Sequence, residues 1–184
     1  MRIFLFIFTL LFAEHLFSKN TMEIFRKEQK EAFQIIPTPQ DIELKGGKGL
    51  DYRELTYIKT ENGASVPVMG ALLNGLPYAA KEGIPLILRI SQENVPNSEE
   101  GYLLEVFANK IVISAKTMKG LFYGCQTLEQ LMEDSRDFRM PIPAMTITDY
   151  PAISYRAVHF DVKHHLDRME YYYRAIDRLA RYKI

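Results

Sequence analysis

Arg156, His159, Asp161, His164 and His165 crowd into one short stretch, and they are the side chains here best suited to chemistry. A guanidinium inside an apolar run such as Tyr155 to Val162 must meet a carboxylate or a ligand rich in oxygens, because a buried unpaired charge is prohibitively costly. Of the two, a structural ion pair is the commoner. Three histidines beside an aspartate could hold a metal, yet their spacing fits no familiar ligand motif, and hydrogen bonding in a loop is the plainer reading. Asp161 could orient a substrate from the end of a strand or pair with a cation on a neighbour. No cofactor is implied.

These residues need a strand and a helix to position them. Tyr155 to Val162 is rich in aromatic and aliphatic residues, as expected of a parallel strand buried on both faces. Asp167, with Glu170 three positions on, suggests a capping box. Met169, Tyr172, Tyr173, Ile176, Leu179 and Ala180 then recur at helical spacing, opposite Arg168, Arg174, Asp177, Arg178 and Arg181. The pair reads as one unit of a repeating β/α architecture, with Ile184 reached before a second parallel strand.

Composition narrows the classes. The chain has 184 residues, 47% of them hydrophobic, and 23 basic side chains balance 23 acidic ones. That is ample for a core and gives no electrostatic footprint for nucleic acid. The single cysteine, Cys125, excludes an intrachain disulfide and a cysteine-rich zinc site. After Arg2, the apolar run Ile3 to Ala13 has the length of a signal-peptide core and is short for a bilayer span. The expectation is an exported protein, periplasmic or extracellular, with no membrane attachment after signal cleavage. Residues 1–18 are read as the signal and 19–32 as a charged linker.

Between the linker and Tyr150 the pattern is that of a small domain, 33–150. Ile42 to Leu44, Leu55 to Lys59 and Ile84 to Ser91 read as strands, and Val66 to Ala80 as a weak helix broken by glycine and proline. Tyr102, Leu104 and Val106, then Ile111 and Ile113 across Ala108-Asn109, mark a hairpin. Thr117 caps a helix expected to run to about Glu133, with Leu121, Phe122, Cys125, Leu128, Leu131 and Met132 on one stripe. Pro141-Ile142-Pro143 ends it, Met145 to Tyr150 supplies a strand, and Asp149-Tyr150-Pro151 turns the chain toward residues 151–184.

Three segments, IIPTPQDIELKGG, TMKGLFYGCQTLEQLM and PIPAMTITDYPAISYRAVHFDV, occur in that order. Together they resemble the N-terminal domain and first barrel strand of the family-20 glycoside hydrolases, the β-N-acetylhexosaminidases. The resemblance implies an α+β fold, a small antiparallel sheet with helices on one side, followed by the first strand and helix of a truncated (β/α)8 barrel. It implies a glycosidase acting on a glycan with terminal N-acetylhexosamine. Arg156 occupies the position of the family's sugar-binding arginine, and Asp161 and His165 match its conserved-type Asp and His in the same segment.

The match has departures. Ala157 stands where the family has glycine, and Lys163-His164 replaces a small residue followed by arginine. The family's substrate-assisted hydrolysis uses an Asp-Glu pair, the glutamate as proton donor and the aspartate orienting the N-acetyl group. Here the adjacent acidic pairs are Glu99-Glu100 and Glu133-Asp134, in the small domain. The chain alone is therefore expected to have no catalytic residue and no activity. The other reading is a non-catalytic accessory domain that binds a protein or glycan, and an unfinished barrel would leave surfaces prone to self-association.

Overall fold

Apolar residues, alternating in some strands and continuous in others, set six strands, and one long amphipathic helix covers them. The computed structural model describes residues 27, 32–77, 82–164 and 166–184. Its strands are Asp41–Leu44 (β1), Leu55–Glu61 (β2), Ile84–Ile90 (β3), Tyr102–Phe107 (β4), Lys110–Ala115 (β5) and Met145–Asp149 (β6). Its α-helices are Ala71–Asn74 (α1), Met118–Phe138 (α2) and Met169–Arg181 (α3). By contacts the chain divides into two units, 1–33 and 34–184. The segments read as signal and linker fall in the first, where only Lys27, Ala32 and Phe33 are described. Among the described residues no helix is long and apolar enough to cross a membrane.

The strands form one sheet in the order β1-β6-β4-β5-β3-β2. β1, β6, β4 and β5 pair antiparallel, but β5 with β3 and β3 with β2 run parallel. The expected antiparallel sheet is thus corrected to a mixed one. The reason lies in the chain between β2 and β3: a parallel neighbour needs a crossover, and the broken pattern around α1 supplies it without announcing itself as a helix. The hairpin itself is as read, with Tyr102 opposite Ala115 and Phe107 opposite Lys110.

Helix α2 lies on this sheet. Thr117 accepts the Lys119 and Gly120 amides at 3.1 and 3.3 Å, the expected cap. The helix runs beyond Glu133 to Phe138 and closes at Arg139, which takes a left-handed φ of 55°. Two glycines permit the close approach. A Cβ on Gly120 would sit 2.3 Å from the Gly101 carbonyl oxygen, and one on Gly124 would sit 2.5 Å from the Ile113 side chain. Leu104, Ile111, Ile113, Leu121, Leu128 and Leu131 are wholly buried between the layers.

Beyond β6 the expectations need correction. Tyr155 to Val162 form no strand; they are irregular, and Tyr155 is 83% exposed. A strand is held by its ladder, and no described strand offers this segment a partner. Of the strand and helix expected after β6, only the helix, α3, forms. Nor does Asp167 cap α3. The N-cap is Arg168, which makes no side-chain cap bond, and the Asp167 amide donates to the Tyr172 hydroxyl at 3.2 Å. The apolar stripe is also turned: Tyr172, Ala175 and Leu179 are half-buried, while Met169, Tyr173 and Ile176 face solvent.

Candidate functional site

The β4–β6 register sets Tyr102 directly opposite Asp149, both aimed at the α2 side of the sheet. Alternation from Leu104 and Val106 on one strand, and from Met145 and Ile147 on the other, places these two polar side chains at core positions. Such groups must be satisfied there. The Tyr102 hydroxyl lies 2.5 Å from the Thr127 hydroxyl of α2 and donates to Asp149 Oδ2 at 2.9 Å. The cation that balances Asp149 comes from past the end of α3: Lys183 Nζ is 2.7 Å from Asp149 Oδ2 and 2.9 Å from the Tyr102 oxygen. Burial pushes the Lys183 ammonium below its ordinary range, and the Asp149 carboxylate opposes that shift. Burial, together with the same carboxylate, holds the Tyr102 hydroxyl well above its usual value.

A cavity of about 280 Å³ opens beside this cluster, walled by Pro37, Tyr123, Tyr150 and Tyr155. Glu100 and Arg156 border it as well. Arg156 Nη2 pairs with Glu100 Oε2, Nη1 donates to the Ile153 carbonyl at 2.6 Å, and Nε donates to the Lys183 carbonyl at 2.7 Å. Its guanidinium also lies 5.8 Å from the centre of the Tyr123 ring. The hydrogen bond to Glu100 is the main reason the Arg156 pKa is raised. Both carboxylates at the cavity are thus neutralised by cations. The arrangement can bind through aromatic faces and guanidinium N–H groups.

Of the three site residues named from the sequence, the structure describes two, and only Arg156 lines the cavity. Arg156 borders the cavity; Asp161 is exposed and accepts only the Lys163 amide, at 2.9 Å; His165 lies outside the described residues. His159 and His164 are exposed, and among the described residues no group of three or more His, Cys, Asp or Glu could hold a metal ion. Sequence reasoning missed Glu100, Tyr102, Thr127, Asp149 and Lys183. One signal was there: Asp149 falls in phase with Met145 and Ile147, and a carboxylate at a core-facing position calls for a cation. Lys183 had no such signal, because tertiary folding alone brings it back to the sheet.

Comparison with known proteins decides the family. The model for glycosyl hydrolase family 20, domain 2, matches residues 32–150. The chain belongs to glycosyl hydrolase family 20. A β-N-acetylhexosaminidase of Cellulomonas fimi is 26% identical over 161 residues, covering 82% of this chain and 32% of that protein. A β-hexosaminidase of Porphyromonas gingivalis is 38% identical over 96 residues, 49% of this chain and 12% of its own length. The N-acetyl-β-hexosaminidase of Streptomyces plicatus, solved with Thio-NAglucal, superposes with a TM-score of 0.63 at 27% identity, covering 83% of this chain and 33% of that one. The chain spans a third or less of these family-20 relatives.

Proposed function

We infer that this chain is the front part of an exported glycoside hydrolase that removes terminal N-acetylhexosamine residues by substrate-assisted, retaining hydrolysis, and that these 184 residues alone are inactive. The observation that carries the reading is the family-20 domain match over 32–150. The names of the relatives support the substrate class, and the apolar run after Arg2 supports export. The ion pairs at the cavity support inactivity. Glu100 is paired with Arg156 and Asp149 with Lys183, so neither is poised to protonate a leaving oxygen. In a longer protein, Arg156, Asp161 and His165 are the sugar-binding candidates, and Arg156 must then share or exchange its contact with Glu100.

A second reading, an accessory module that packs on a protein or glycan, or on its own copy, draws on the exposed Tyr155, Leu166, Tyr173 and Ile176. The test of the first is hydrolysis of chromogenic N-acetylglucosaminide and N-acetylgalactosaminide by the purified chain. With neither the family's general acid, worth about 10²- to 10⁴-fold by itself, nor its orienting carboxylate, no measurable turnover is expected. Turnover that survives purification and is abolished by Arg156→Ala would overturn it.

A further inference from the structure

Helix α3 buries none of its residues, yet Lys183, two positions past its end, is only 6% exposed. The backbone there is equally unusual. Lys183 and Ile184 donate to the Ala180 and Leu179 carbonyls at 3.0 and 2.9 Å, closing the helix in a Schellman arrangement. Lys183 takes the left-handed position, φ 61°, that such a closure ordinarily gives to glycine. A long side chain in that conformation carries a backbone cost, as at the exposed Arg139, but at Lys183 it is combined with burial.

The Lys183 ammonium sits against Asp149 Oδ2 and the Tyr102 oxygen, which Thr127 meets from the other side, and it lies 5.1 Å from the centre of the Tyr102 ring. Every member comes from the sheet or from α2. Gln130 of α2 adds one neutral hydrogen bond, to the Arg181 carbonyl at 3.1 Å, and the other charged ties of this region are weaker in kind. Arg181 pairs with Glu133 and Arg156 with Glu100, all four side chains between 22% and 33% exposed and therefore screened by solvent. Of the apolar side chains of α3, Met169, Tyr173 and Ile176 are more than half exposed, and Tyr172, Ala175 and Leu179 are only half-buried.

We propose that the end of the β4–β6 pair is a built socket for a lysine ammonium, and that Lys183 seated in it, rather than the apolar stripe of α3, fixes residues 151–184 on the α+β domain. Asp149 is the last residue of the sheet and Lys183 follows the next helix, so the socket clamps the two ends of one excursion together. The socket thereby sets where the α+β domain grips the chain that follows it.

Trypsin cleavage after Arg174 and Arg178, followed by mass spectrometry on the full chain, reads the unwinding of α3. Lys183→Met and Lys183→Gly should each accelerate these cuts about tenfold or more, and Ile176→Ala by less than about twofold. The glycine variant separates two causes. It relieves the left-handed backbone, so if helix closure were the whole story the cuts would slow; cleavage no faster than wild type overturns the proposal, as does an Ile176→Ala rate matching that of Lys183→Met. Tyr102→Phe keeps the ring and removes one acceptor, which covers the case in which the Lys183 variants lose the whole fold. It should accelerate the same cuts with the circular dichroism of the sheet unchanged, and cleavage at the wild-type rate counts against the socket.

Discussion

Helices α2 and α3 are both amphipathic, but they are held in different ways. α2 buries Leu121, Cys125, Leu128 and Leu131 against strands that are themselves buried, whereas α3 buries nothing and is tied down through polar groups around its C-terminal end. Apolar burial is roughly proportional to area and is not screened by salt as surface charge pairs are, so the α2 layer derives its stability from many contacts. The 151–184 segment depends on a few charged contacts, of which only the Lys183–Asp149 pair is buried. Amphipathic periodicity therefore says that a helix forms, and says nothing of what covers its apolar face.

The largest expected effect separates the two layers directly. Leu128→Ala should lower the unfolding free energy by about 2–5 kcal/mol, because Leu128 is wholly buried and its loss leaves a cavity. Ile176→Ala, at a position 57% exposed, should stay within about 0.5 kcal/mol. Urea unfolding followed by reaction of the Cys125 thiol measures both. That thiol is fully enclosed and pushed up to about 12 by burial, so it reacts only when the α2 layer opens. Equal losses from the two variants would break the comparison.

A smaller effect concerns the acid buried in α2. Glu129 is 5% exposed and accepts the Leu72 and Leu73 amides at 2.7 and 3.1 Å. Burial raises its pKa, and the two backbone bonds only partly counter this. The folded state then binds the proton at a higher pH than the unfolded chain does, so this group's contribution falls as pH rises through the window between the ordinary carboxylate range and its raised value. Acidifying from neutrality into that window should stabilise the wild type, with a slope of at most about 1.4 kcal/mol per pH unit. Glu129→Gln should flatten the slope; an unchanged profile from denaturation at several pH values would place the titration elsewhere.

Much of the α+β layer was legible because local signals and tertiary structure agree there. The Tyr102 to Ile113 alternation, the Thr117 cap and the strand ending at Asp149 each follow from side chains that are buried where their pattern says. The parallel pairing of β2 with β3 was not legible, since it depends on a crossover whose helix is four residues long. Tyr155 to Val162 carries a strand pattern and forms none, because pairing is a property of neighbours and not of composition. Of the candidate site, Arg156 was placed at the cavity, and the ion pair weighed for it from burial alone is the contact it makes with Glu100. The Lys183 socket joins residues far apart in sequence, which no spacing rule reaches.

Amide hydrogen exchange on the monomeric wild-type chain tests the difference between the two regions most directly. Amides of β4, β5 and β6 should exchange slowest, near the limit set by global unfolding, those of α3 faster, and those of residues 155–164 within about tenfold of unstructured rates. Protection of 155–162 equal to that of β5 would show a paired strand there, and the account of residues 151–184 as a segment held by charge and not by a ladder would be wrong.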